Sequence, residues 1–421
     1  MAKFCSASFV SFLPQCVTAF EGLMQYPHEA MRLVVMESLV TCSECCNTCF
    51  PQASPWVKGL GATQPAPLRP EALQIVAKLV TEAVRSVMRD PSKKVVAAAC
   101  ELMQHVCETW GPQALAPQIR HVLGTVLLLL REKTPCQDTE HDYGEEEDPA
   151  EAVFMDHDNI LVDAVADLIG VLARTCGESF GSLFLPLAEP LFSFCEPRRA
   201  QNDRAMALGA FAEVIDEVDS ETTAKLAAPL LPVLLNCMET GNYNMRRNAV
   251  YCTGVLAAHA PAQVGPHLPH LLNGLRPHLA RREGENWAIV DNTASALCRI
   301  VMSAPNAVPV DQILPLVLQA VPLQDDPSEN MPVYTMLFAL IDQSVPVAVA
   351  HFPEIVVRFA RALTSPDEFL EADIKAEIAK RAIVMVEALR TESGGARWAQ
   401  VVPQLAPPEA AMLHRIGARI N

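Results

Sequence analysis

Apolar residues recur every three to four positions along most of the chain, in stretches separated by Pro, Gly and Asp-Pro breaks. One helix shows the rhythm and its opposite most clearly. Over 152–174, Leu161, Val165, Leu168, Ile169 and Leu172 fall on one stripe, while Asp156, Asn159, Asp163 and Asp167 fall on the other. The same rhythm predicts helices over 4–26, 29–49, 71–88, 93–109 and 114–132. After 152–174 it predicts pairs: 182–195 with 201–218, 222–238 with 244–259, 264–280 with 286–303, 310–321 with 331–344, and 348–363 with 368–390. Two interruptions read differently. Residues 50–70 are rich in Pro, Gly and Ser and read as an exposed loop, and 134–150 reads as an acidic loop within a repeat. No alternating run demands a strand, so the expected fold class is all-α.

The second helices superpose at Asp163, Arg204, Arg247, Asp291 and Tyr334, at spacings of 41, 43, 44 and 43 residues. This period fits HEAT-type hairpins and is longer than the tetratricopeptide period of about 34 residues. Such hairpins bury their apolar faces only by stacking. The expectation is therefore a single array over 1–421, a right-handed superhelical solenoid of about eight to nine antiparallel helix pairs. The first helices share prolines at Leu185-Pro186, Ala228-Pro229, Leu231-Pro232, Leu268-Pro269 and Leu314-Pro315. Proline bends a helix or delays its start.

Half of the 421 residues are hydrophobic and only 6% are aromatic, which supplies a large helical core. The 33 prolines outnumber 18 glycines, against a hairpin-rich β fold. The net charge of −17 disfavours direct nucleic-acid binding and suits a basic partner. Fourteen cysteines without a secretory leader point to a reducing compartment. The apolar runs are too short to span a bilayer, so no membrane role is expected.

Two stretches carry a family resemblance: N-Y-N-M-R-R-N-A-V-Y-C-T-G-V-L over 242–256 and W-A-I-V-D-N-T-A-S-A-L-C-R-I over 287–300. Both resemble second helices from the C-terminal half of the karyopherin-β nuclear transport receptors, and the likeness is clearest over 158–345. It implies a cargo-binding C-terminal part of a longer receptor, importing basic proteins such as core histones and ribosomal proteins. It also implies contact with nucleoporins, shuttling between cytoplasm and nucleus, and release by Ran-GTP. The main Ran contacts of that family lie in N-terminal repeats, which have no counterpart here.

In such solenoids the second helices line the concave side, so residues opposite each apolar stripe are the candidates for binding. These are Asp156, Asn159, Asp163 and Asp167, then Asn202, Met206, Glu213 and Glu217. Asn244, Asn248 and Tyr251 follow with Arg247, and Asp291, Asn292 and Ser295 with Arg299. Glu285 precedes that last helix on its polar side and Trp287 sits at the boundary of its faces. Together they form a trough of Asp, Glu, Asn and Tyr suited to an extended basic segment. Carboxylates hold Lys and Arg heads, Asn bonds a peptide backbone, and an aromatic ring takes a cation. Any amphipathic helix shows a polar outward face, so the aligned set carries this reading rather than any one residue.

Other motifs weigh less. Cys42, Cys45, Cys46 and Cys49 have zinc-like spacing, but they lie on one face of one helix and read as core. His141 and His157 with their carboxylate neighbours make a weak metal candidate. No phosphate loop, nucleophile elbow or metalloprotease motif appears, so neither enzyme activity nor a cofactor is expected. The alternative to a transport receptor is a static HEAT scaffold for protein complexes.

Overall fold

A helix with one apolar stripe and one hairpin partner still exposes part of that stripe, and here the next hairpin covers it. The computed structural model describes residues 9–51, 68–138, 150–280, 287–366, 368–391 and 395–417, with the backbone alone over 150–158 and at 10, 280, 416 and 417. Among the described residues every regular element is helical. No described helix is long and apolar enough to cross a membrane. The chain divides into two compact units, Met1–Thr222 and Thr223–Asn421.

The first unit contains α1 (Leu13–Leu23), α2 (Glu29–Cys49), α3 (Pro70–Arg89), α4 (Lys93–Trp110), α5 (Ile119–Leu130), α6 (Ala150–Cys176), α7 (Phe180–Phe194) and α8 (Gln201–Glu217). The even-numbered helices stack in order, α2 on α4, α4 on α6 and α6 on α8, and the odd-numbered ones pack against their outer side. Polar ties fix this stack. Trp110 Nε1 donates to Ser43 Oγ at 2.9 Å, joining α4 to α2. Gln104 Nε2 donates to the Ala164 carbonyl at 2.9 Å, joining α4 to α6. The predicted Asp90-Pro91 turn is locked from α2: Arg32 grips Asp90 at 2.7 and 3.0 Å, and Ser92 caps α4.

The second unit holds most of α9 (Ser220–Thr240), then α10 (Tyr243–His259), α11 (Leu268–Ala280), α12 (Trp287–Ser303), α13 (Val310–Ala320), α14 (Asn330–Asp342), α15 (Phe352–Thr364), α16 (Ala372–Thr391) and α17 (Pro407–Gly417). Here α12 touches α10, α11, α13 and α14, and α14 passes the stack on to α16. The helix-interior prolines found among the described residues lie in α7, α9, α11 and α13, the first helices of their pairs.

Several boundaries differ from expectation where proline withholds an N–H. The helix expected over 114–132 divides into a turn, Pro112–Leu115, and α5. That expected over 264–280 starts with short turns before α11, and that over 348–363 divides at His351, one residue before α15. The interiors of the expected 50–70 and 134–150 loops lie outside the described residues. Entry to the latter is packed rather than exposed: Thr134 and Cys136 are buried beside Pro135–Gln137.

Helix α12 changes the picture most. Thirteen of its residues are buried, Asp291, Asn292 and Ser295 among them. Asp291 Oδ2 accepts the backbone N–H groups of Gln324, Asp325 and Asp326 at 2.9, 2.7 and 3.0 Å. Asn292 Nδ2 donates to the Ala288 carbonyl and to Asp326 Oδ2. The polar face of α12 is thus a socket for the turn between α13 and α14. On the other side α10 comes so close that a Cβ at Gly254 would stand 2.7 Å from Ala296 Cα and 2.9 Å from its Cβ.

Gly254→Ala must push α10 from α12, and is expected to destabilise the protein by about 1–3 kcal/mol. Gly124→Ala, in α5 with open space around it, should instead stabilise by about 0.5–1 kcal/mol through helix propensity. Denaturant melts of the two variants check this; equal stability would contradict the close contact.

Candidate binding site

The acidic stripe on α6 survives folding. Asp163 and Asp167 are exposed, Asn159 is half-buried, and Asp156 lies in the stretch given as backbone alone. Stacking α6 between α4 and α8 brings further carboxylates beside them. Glu101 and Glu108 stand exposed on α4, Glu37 and Glu44 on α2. Asp203, Glu213 and Glu217 are half-buried on α8.

These groups feel one another. Partial burial pushes the Glu101 carboxyl above the ordinary carboxylate range, and the Glu37 and Asp167 carboxylates push it further. Asp163 is raised by burial, then by Asp167 and Asp203. Asp167 is raised by burial and by Glu108, against the pull of Arg174. Glu213 is raised by burial, against an ion pair to Arg174 at 2.5 Å. His105, between Glu101 and Glu108 in α4, is lowered by burial although Glu44 and Glu108 oppose this. Near neutral pH it stays uncharged and does not neutralise its neighbours. The result is a set of carboxylates on α2, α4, α6 and α8 that sense one another, with Arg174 among them. It has hydrogen-bond acceptors for ammonium and guanidinium groups.

The trough expected over four later second helices is therefore corrected in extent. Asp163, Asp167, Glu213 and Glu217 share the first unit's face, and Asn202 is exposed near the start of α8. Met206, expected on the open side, is buried, because α8 turns it into the packing against α6 and α7. Asp291, Asn292 and Ser295 are likewise withdrawn: all three are buried, with Asp291 Oδ2 and Asn292 Nδ2 bonded to the 324–326 turn and Ser295 Oγ to Arg299. Asn244 is exposed, and Asn248, Tyr251 and Trp287 are half-buried. Arg299 lies over the Tyr251 ring at 5.4 Å and pairs with buried Glu329 at 2.5 Å, so this part of the second unit carries an internal ion-pair network. Glu285 and the run 139–148, with His141, lie outside the described residues, and His157 falls in the backbone-only stretch.

Sequence reasoning passed over Glu37, Glu101 and Glu108. Glu101 with Glu108, and Glu37 with Glu44, are pairs spaced by seven residues on otherwise ordinary amphipathic helices, and only the stacking order shows them together. The cysteines of α2 are core: Cys42, Cys45 and Cys46 are buried, and burial pushes their thiols up to about 12, 11 and 12. Thiols so held are poor metal ligands and poor nucleophiles.

No family model matches the chain. It is 30% identical to importin-4 of Homo sapiens over 376 residues, covering 88% of this chain and 33% of that protein. It is 26% identical to the probable importin subunit beta-4 of Schizosaccharomyces pombe over 388 residues, 90% of this chain and 35% of that one. The chain thus spans about a third of the length of the curated relatives it matches. Its fold matches that of the karyopherin Kap121p bound to the SUMO protease Ulp1p, with a TM-score of 0.73 at 15% identity, over 99% of this chain and 36% of that one. The chain is thus homologous in sequence to about a third of importin-4, and its fold is the HEAT-repeat solenoid of the karyopherin Kap121p.

Proposed function

We propose that this chain is the cargo-recognising part of a nuclear transport receptor, and that it grips a basic, extended segment on the anionic face of α2, α4, α6 and α8. The observation that carries the reading is the gathering of carboxylates from successive stacked helices: burial raises Glu101 and Asp163, and the neighbouring Glu37 and Asp167 charges raise Glu101 while Asp167 raises Asp163. Like charges kept together at a cost in stability are relieved by a cationic ligand. A disordered Lys- and Arg-rich tail, such as that of a core histone or ribosomal protein, meets the need. Many modest contacts offset its ordering entropy, and masking its charge keeps it off nucleic acids.

The relatives support this class of role. Kap121p has been crystallised bound to Ste12p, to Pho4p, to Nup53p and to RanGTP. By homology, this chain would act by binding and carriage between cytoplasm and nucleus rather than by chemistry. Nucleoporins would be further partners, and Ran-GTP would act through repeats outside this third of the receptor.

Binding of a Lys- and Arg-rich tail peptide, followed by fluorescence anisotropy, checks the face. Glu101→Gln, Asp163→Asn and Asp167→Asn should each weaken binding by about two- to fivefold, and the triple variant by at least about tenfold. Asp291→Asn is the control, expected to lower the melting temperature while leaving peptide affinity unchanged. A triple variant that binds like wild type would remove the face from consideration.

The same assay has a predicted pH profile. Glu101, Asp163, Asp167 and Glu213 have raised carboxyls, so they take up protons above the ordinary carboxylate range as pH falls. Affinity should therefore drop already in mild acid. Because the folded state binds these protons more tightly than the unfolded chain does, their protonation favours folding, and the loss is not one of unfolding. Affinity that stays flat until strongly acidic pH would contradict the coupling.

A further inference from the structure

One cation already sits on this face. Arg174, in the last turn of α6, donates from one guanidinium nitrogen to Glu213 Oε2 on α8 at 2.5 Å. A second nitrogen lies 3.8 Å from Glu108 Oε1 on α4. One guanidinium therefore spans three consecutive helices of the stack. The backbone makes room for it: a Cβ at Gly170, one turn earlier on α6, would stand 1.7 Å from Glu213 Oε2 and 2.7 Å from its Cδ. Glycine inside a helix costs about 1 kcal/mol relative to alanine. At this position its missing side chain is what lets the Glu213 carboxylate lie across α6 and reach Arg174.

We infer that Arg174 is a specificity-determining residue, an internal guanidinium that fills the Glu108–Glu213 end of the anionic face and confines a basic partner to the Glu37, Glu101 and Asp163 end. This rests on the proposed cargo role of that face. A guanidinium held between two carboxylates is the chemistry a partner's arginine would present, so the chain itself shows what that end accepts. While Arg174 is in place, an incoming Lys or Arg head there meets like charge, and Glu213 already accepts a guanidinium hydrogen bond. The partner's run of basic side chains is thereby limited in length and fixed in register.

The test compares the whole 421-residue chain with Arg174→Gln and Arg174→Lys, using a long Lys- and Arg-rich peptide, a truncated one with half the basic residues, and a neutral analogue. Arg174→Gln should bind the long peptide about three- to tenfold more tightly at low salt, with a steeper salt dependence, and the truncated peptide as wild type does. Arg174→Lys should stay near wild type. Should Arg174→Gln not fold, the double variant Arg174→Gln with Glu213→Gln keeps a neutral hydrogen-bonding pair, frees only Glu108, and should tighten binding by a smaller factor. Long-peptide affinity no higher in these variants than in wild type would overturn the inference and leave Arg174 as a tie between helices, with the cargo reading intact. Binding by Arg174→Gln but not by wild type would uphold the internal occupant while overturning the wild-type cargo reading. Binding by neither would overturn both.

Discussion

Everything in this molecule follows from the stacking of second helices. A single HEAT hairpin leaves part of each apolar stripe in water, and burying one leucine or valine side chain stabilises by about 1.5–3 kcal/mol. Helices α2, α4, α6 and α8 meet that need in one unit, and α10, α12, α14 and α16 in the other. The packing is close enough for single atoms to decide it, as Gly254 against Ala296 and Gly170 beneath Glu213 show. Once the stack is set, the side chains left at its edge are no longer a free choice. They stand in rows, and rows of carboxylates make a surface that separate helices do not have.

The two units use the same stacking to different ends. In the first, the edge of α6 stays open, so Asp163 and Asp167 remain at the surface and join Glu101 and Glu37. In the second, the edge of α12 is roofed by the turn ahead of α14. Asp291 spends its carboxylate on three backbone N–H groups there, and Glu329 takes Arg299. Charge that could face a partner becomes part of the core. That difference leaves the first unit's edge open and makes the polar residues of α12 internal supports.

The helices, the period near 43 residues and the all-α class were legible because apolar spacing is a local signal, and α2 appears over the residues its pattern predicts. The misplaced polar residues of α12 have one cause. A polar stripe reads the same whether water or another segment covers it, and the segment that covers Asp291 lies 33 to 35 residues downstream. Conversely, the acids on α2 and α4 look incidental until stacking sets them beside Asp167.

The most direct measurement is zero-length carbodiimide cross-linking of a lysine-rich tail peptide to the chain, with the joined residues mapped by mass spectrometry. Amide bonds form only where a lysine ammonium rests against a carboxylate, so the links report the face itself. Links concentrated on Glu37, Glu101, Asp163 and Asp167 are the predicted result. Links confined to the acidic run over 139–148 or to carboxylates of the second unit would contradict the account.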